Sequence, residues 1–155
     1  MKQITDEKFI KVAIKEALKG ESAGEIPVGA VIVCDGKVIA RTHNKTELLK
    51  DPTAHAEILA IRKASKKISD WRLNNCEIYV TLEPCPMCAA AIILSRIKRA
   101  VFGAYDKEYG ALGSKINLKE IFPSVNPLLE IKGGVLENEC SQILKGFFNK
   151  IRNKI

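Results

Sequence analysis

His55-Ala56-Glu57 and Pro84-Cys85-Pro86-Met87-Cys88 hold the residue types and spacing that could do chemistry. One imidazole and two thiols form a ligand set for a tetrahedral zinc with its fourth position open. An open zinc holds a water, and the Glu57 carboxylate can move that water's protons without binding the metal. Two thiolates neutralise the ion and weaken its effect on water, so Glu57 must take the proton. Two other readings use the same residues. Cys-x-x-Cys alone could be a redox pair, but a redox pair needs neither histidine nor glutamate. A structural zinc normally wants four protein ligands, for which Cys34, Cys76, Cys140 and His43 are the candidates. None of these has ligand spacing to the others, and the three cysteines read better as small buried hydrophobes.

The elements that must position these residues follow from pattern. Asp6 to Lys19 reads as an amphipathic helix capped by Thr5 and ended by Gly20. Val28 to Cys34 and Lys37 to Arg41 read as strands joined by an Asp35-Gly36 hairpin turn. Val31, Ile32 and Val33 do not alternate, so the first strand is expected to be buried on both faces. Gly29 implies either close approach by something, such as a ligand, or a bulge. After a polar loop from Arg41 to Lys50, a helix over about Ala54 to Lys66 starts on Asp51 or on Thr53, with His55 in its first turn. His55 and Glu57 can then serve one site only if that site lies over the helix start.

Cys76 to Leu82 reads as a strand, and the helix before it predicts a crossover to a parallel neighbour. A helix from Cys85 or Pro86 to Ser95 puts both thiols in its positive first turn, which favours thiolates. Arg99 to Ala104 is a further parallel strand. Tyr105 to Ser124 is irregular, with a short helix near Leu118. Leu129 to Lys132 is a last short strand broken by Gly133-Gly134, and Leu136 to about Arg152 is the closing helix. Trp71 is expected to anchor the loop before a strand. The alternation predicts an α/β fold: a three-layer α/β/α sandwich on a mixed sheet, formed as one domain over residues 1–155.

Composition narrows the partners. The chain has 155 residues, 46% hydrophobic and 28% charged, with a net charge of +7. That is a globular composition whose basic balance favours an anionic partner, or else a solvated lysine-rich surface. Five cysteines, an odd number with one close pair, make no disulfide framework. No apolar run is long enough to span a bilayer, and the charged N-terminus has no signal-peptide core, so a cytoplasmic protein with no membrane partner is expected. Residues 141–155 contain Lys145, Lys150, Arg152 and Lys154 around Phe147-Phe148 and no acidic residue. Rings and cations together suit unstacked single-stranded loops, although a solvated helix end with one ring in the core gives the same pattern.

His-x-Glu followed by Pro-Cys-x-x-Cys is the established signature of zinc nucleobase deaminases. The surrounding segments Ile26-Pro27-Val28-Gly29-Ala30-Val31, His43-Asn44, Asp51-Pro52-Thr53-Ala54-His55-Ala56-Glu57-Ile58, Val80-Thr81-Leu82-Glu83-Pro84-Cys85-Pro86-Met87-Cys88, Arg96-Ile97-Lys98-Arg99 and Gly103-Ala104-Tyr105-Asp106 resemble the bacterial tRNA-specific adenosine deaminase family. The resemblance covers about Glu7 to Arg152. It implies a cytidine deaminase-like fold with a five-stranded sheet and hydrolytic conversion of the wobble adenosine of a tRNA anticodon loop to inosine. It also implies one Zn2+ per subunit on His55, Cys85 and Cys88, with Glu57 as proton shuttle.

Asn44 would then hydrogen-bond the flipped-out base, and Ile26 and Val28 would shape its pocket. Asp106 would contact ribose and backbone, and Phe147, Phe148 and Arg152 the flanking nucleotides. The partners implied are a tRNA anticodon stem-loop and a second copy of the chain in a homodimer. Ala90 stands where the family usually has Gly, and Asn126-Pro127 replaces a common Asn-His. The rival reading on the same scaffold is deamination of a free base or nucleoside such as guanine, cytosine or cytidine. A small neutral base needs no basic field, which argues against that rival.

Overall fold

Alternating side chains divide the sheet into two apolar faces, and each face has its own helices. In the computed structural model, residues 1–154 are described; Ile155, the last residue of the expected domain, lies outside them. The elements are α1 (Lys2–Ser22), β1 (Gly29–Cys34), β2 (Lys37–His43), α2 (Thr46–Leu49), α3 (Ala56–Ile68), β3 (Cys76–Leu82), α4 (Pro86–Leu94), β4 (Arg99–Ala104), α5 (Leu118–Ile121), β5 (Glu130–Lys132) and α6 (Glu137–Asn153). The five strands form one sheet in the order β2-β1-β3-β4-β5. Ala30, Ile32, Ile78, Val80, Ala100 and Phe102 face α3 and α4. Val31, Val33, Tyr79 and Val101 face α1 and the start of α6. This period-two division makes the expected three-layer sandwich on a mixed sheet.

The hairpin turn follows its sequence signal. Asp35 and Gly36 both have positive φ, 52° and 76°, as a two-residue primed turn requires. The strand pairing differs from expectation at one place. β3 lies beside β1 and antiparallel to it, with Val31 opposite Tyr79. The crossover through α3 does make β3 parallel to β2, but the hairpin inserts β1 between them. β4 is parallel to β3 and β5 to β4, as expected.

Two glycines act differently from their sequence reading. Gly20 does not end α1, which continues to Ser22; Gly20 instead packs against the His43 ring. Gly29 does allow a close approach, but by the backbone of α1 at Ala13 and Ala17 rather than by a ligand. The irregularity in β1 falls later, between Ile32 and Val33.

α1 is fixed by charge as well as by Phe9, Ile10 and Ala13. Arg99 Nη2 donates to Asp6 Oδ2 at 2.8 Å, and Arg99 Nη1 donates to Asp6 Oδ1. Lys132 Nζ reaches Asp6 Oδ2 at 3.2 Å, and Tyr79 OH donates to Asp6 Oδ1 at 3.2 Å. Burial alone would raise the Asp6 carboxyl, but the Arg99 and Lys132 hydrogen bonds outweigh it and hold its pKa below the ordinary value. No helix among the described residues is long and apolar enough to cross a membrane.

Candidate active site

The site forms where two helices begin. His55 is the N-cap of α3 and Cys85 the N-cap of α4, both in extended backbone (φ −72°, ψ 152° and φ −71°, ψ 173°). Neither side chain caps its own helix. Both are therefore free to meet, and both stand at positive helix ends. His55 thus precedes the first turn rather than lying within it. The reason is local: Asp51 does not cap the helix but accepts the Thr53 N–H at 2.8 Å and the Thr53 hydroxyl at 2.7 Å, forming a turn of its own. Pro86 takes the first helical position of α4, where a missing N–H costs nothing.

His55 Nδ1 lies 3.6 Å from Cys85 Sγ and 3.4 Å from Cys88 Sγ. All three donor atoms fall within 4.8 Å of one another. A tetrahedral zinc with ordinary bond lengths sets its donors roughly 3.6 Å apart, so the residues fit the metal. Among the described residues, no fourth His, Cys, Asp or Glu joins this group. Cys76 and Cys140 are buried elsewhere, with thiols pushed up to about 12 chiefly by burial. His43 Nδ1 lies 3.0 Å from the Asn44 carbonyl.

The two thiols do not behave alike. The hydrogen bond from Cys88 pulls Cys85 down to about 4, with His55 adding to the effect. Cys88, wholly buried beside that anion, is held well up instead. The helix dipole acts on both, but at Cys88 the hydrogen bond to Cys85, and then burial, outweigh it. The hydrogen bond to Cys85 also raises the His55 imidazole. Glu57 sits in the first turn of α3, only 4% exposed, and burial pushes its carboxyl up to about 7. It is adjacent to the donor group without belonging to it, as a proton carrier must be.

Ile26, Val28, Asn44, His55, Glu57, Cys85, Asp106 and Phe148 all line one cavity of about 570 Å³. That size suits a nucleotide-sized ligand. Asn44 is oriented by α3: its Oδ1 accepts the Ala56 N–H at 2.7 Å, which leaves Nδ2 as the free donor. Asp106 Oδ1 accepts the N–H groups of Glu108 and Tyr109, each at 3.1 Å.

Two expected residues lie elsewhere in this chain. Phe147 faces a separate groove with Leu18 and Ile151, its ring edge against Phe148 at 5.3 Å. Arg152 is exposed on the last turn of α6. Neither phenylalanine is buried in the core. Trp71 is not an anchor either: it is 54% exposed, with the Arg72 guanidinium 4.6 Å and that of Arg96 5.5 Å from its ring centre.

Sequence reasoning read the segment after β4 as irregular but did not see that Tyr105, Lys107 and Tyr109 in it form a cavity wall. It also missed the α2 turn and Glu83. The α2 turn is held by Glu25, whose carboxylate accepts the N–H groups of Glu47 and Leu48 at 3.1 and 2.9 Å. No periodicity marks such a loop; the only signal was an acidic residue directly after an apolar strand, in Thr81-Leu82-Glu83-Pro84.

The comparisons with known proteins point the same way. Residues 3–104 match the cytidine and deoxycytidylate deaminase zinc-binding region. The tRNA-specific adenosine deaminase of Bacillus subtilis (strain 168) is 49% identical over 96% of this chain and 92% of its own length. That of Haemophilus influenzae is 50% identical over 96% of this chain and 86% of its own. A solved structure from work on A-to-I editing by tRNA:A34 deaminases at the wobble position of transfer RNA superposes with a TM-score of 0.81. It is 41% identical and covers 88% of this chain and 99% of that one.

Proposed function

The chain belongs to the tRNA-specific adenosine deaminase family, within the zinc-dependent cytidine and deoxycytidylate deaminases, and from that premise we propose how its own residues carry out the reaction. It is a zinc-dependent enzyme that hydrolytically deaminates the wobble adenosine of a tRNA anticodon loop to inosine. The single observation that carries this reading is the three-donor group of His55, Cys85 and Cys88 with the buried Glu57 beside it, all opening on a nucleotide-sized cavity.

His55, Cys85 and Cys88 would hold the metal. When bound, zinc would supply a polarised water as the nucleophile. The rest falls to the protein. Ile26 and Val28 give apolar walls against which a flipped base can stack. Asn44 Nδ2 donates to an acceptor on that base, because its Oδ1 is already taken by Ala56. Glu57 takes the proton from the attacking water at a carboxylate oxygen and delivers it to the ring nitrogen next to the reacting carbon. It then takes the remaining proton from the hydroxyl now on that carbon and passes it to the amine; the C–N bond breaks, the C=O forms, and ammonia leaves. A carboxyl raised toward neutrality by burial is suited to both giving and taking.

At the cavity mouth, Asp106 and Phe148 meet the ribose and a flanking base. Phe147 and Arg152 extend the contact along α6 toward further nucleotides. The net charge of +7 provides the field that attracts an RNA hairpin. We read the enzyme as a homodimer in which a second copy borders each RNA site; Leu48 and Leu94, 68% and 58% exposed, leave apolar surface for such a partner. Its five unpaired cysteines support a reducing compartment, the cytoplasm.

Product analysis tests the reading. The zinc-loaded protein is offered an anticodon stem-loop with A at the wobble position and, separately, guanine, cytosine and cytidine. Inosine in the stem-loop is expected; deamination of the free compounds alone would exclude the RNA substrate.

A further inference from the structure

Glu83 follows directly after β3, two residues before Cys85, and is only 2% exposed. A carboxylate buried this fully must have its charge met by donors. All of its side-chain partners come from one loop. Oε1 accepts the Asp106 N–H at 3.2 Å and the Ser114 hydroxyl. Oε2 accepts the N–H groups of Leu112 and Ser114 at 3.2 and 3.0 Å. The backbone repeats the link: Glu83 N–H donates to Ala104 O at 2.8 Å, and Ala111 N–H donates to Pro84 O at 2.9 Å. Gly110 packs directly on the carboxylate, where any side chain would displace it.

The loop gathered in this way is the wall that carries Tyr105, Asp106, Lys107 and Tyr109 into the cavity. It has no helix or strand of its own to hold it between Ala104 and Leu118. Glu83 itself belongs to the short segment that joins β3 to α4 and carries Cys85. We propose that Glu83 is a positioning residue: it locks the substrate-facing loop 105–114 to the turn that presents Cys85 and Cys88, and so holds in place the wall against which the nucleotide binds. The substrate part of this rests on the RNA-deaminase reading; the locking part does not.

The test is residue-resolved amide hydrogen exchange on the full-length, zinc-loaded protein, wild type against Glu83→Gln. Glutamine keeps the shape but replaces one acceptor oxygen with an NH2 group facing N–H donors. The amides of Asp106, Leu112 and Ser114 should exchange at least roughly tenfold faster, the size expected for losing charge-assisted hydrogen bonds. Those of Ile78 and Ala100 in the strands should not change, and bound zinc should stay near one equivalent. With the anticodon stem-loop, KM should rise roughly tenfold while kcat holds within about threefold, the pattern of lost binding that ground and transition states share.

Unchanged exchange at the three amides, or equal acceleration in the strands, would overturn the locking role. Faster exchange with an unaltered KM would overturn the substrate role. If Glu83→Gln does not fold, Ser114→Ala removes one partner only; it should accelerate Asp106 and Leu112 by a smaller factor, and no acceleration there overturns the proposal. A wild-type protein that leaves the stem-loop unreacted would defeat the function while exchange still judges Glu83.

Discussion

Asn44 Oδ1 accepts the Ala56 N–H at 2.7 Å, one residue beyond His55 of the three-donor group. One amide therefore does two jobs: it satisfies an open donor at the start of α3, and it turns its NH2 group toward the cavity. Asn44→Asp keeps the acceptor but loses the donor. Deamination efficiency should fall roughly 10- to 100-fold, the cost of an unmade hydrogen bond to the base, while zinc content stays unchanged. Steady-state kinetics with metal analysis checks both.

The donor group predicts a metal-dependent fold. Zinc that binds only the native state stabilises it by mass action. Stripping it with a chelator should lower Tm by roughly 10 °C and abolish turnover, and added zinc should restore both. Cys88→Ser should behave like the stripped protein. Differential scanning calorimetry with and without chelator decides this.

Asp6 predicts an acid-sensitive anchor for α1. Its folded pKa lies below the unfolded value, so its stabilising effect is fully present above about pH 4. The effect is lost as pH falls through the native Asp6 pKa. Asp6→Asn should cost about 3 kcal/mol at neutral pH, since it leaves Arg99 buried with less to pair with. The gap to wild type should close on acidification. Urea unfolding of both proteins across pH 2 to 7 (roughly the carboxylate range) measures it.

Gly29 predicts a steric limit. A methyl group there would meet Ala13 O and Ala17 N of α1. Gly29→Ala should destabilise by about 1–3 kcal/mol or more, with the zinc donors intact. Thermal unfolding reports the loss.

How much of this was legible in the sequence depended on whether the signal was local. β3 and β4 were readable to the residue, because each is a short apolar run bounded by turn residues. The Asp35-Gly36 turn and the donor group were readable because their chemistry sits in adjacent residues. The position of β1 between β2 and β3 was not, since strand order is a property of the whole sheet. Gly29 signalled a close approach, but only the packing of α1 says by what. Cys85 and Cys88 looked equivalent at three-residue spacing; the hydrogen bond between them, and the deeper burial of Cys88, which sequence does not print, separate them. Glu83 stood in plain view inside the motif, and its partners 23 to 31 residues away were beyond any periodicity.

The central claim is that Glu57 moves protons beside a metal it does not bind, and one variant tests it most directly. Glu57→Ala should bind zinc at about one equivalent, as wild type does, yet form no inosine in a stem-loop with A at the wobble position. Inosine formed by that variant at a rate near wild type, or zinc lost along with the carboxylate, would contradict the account.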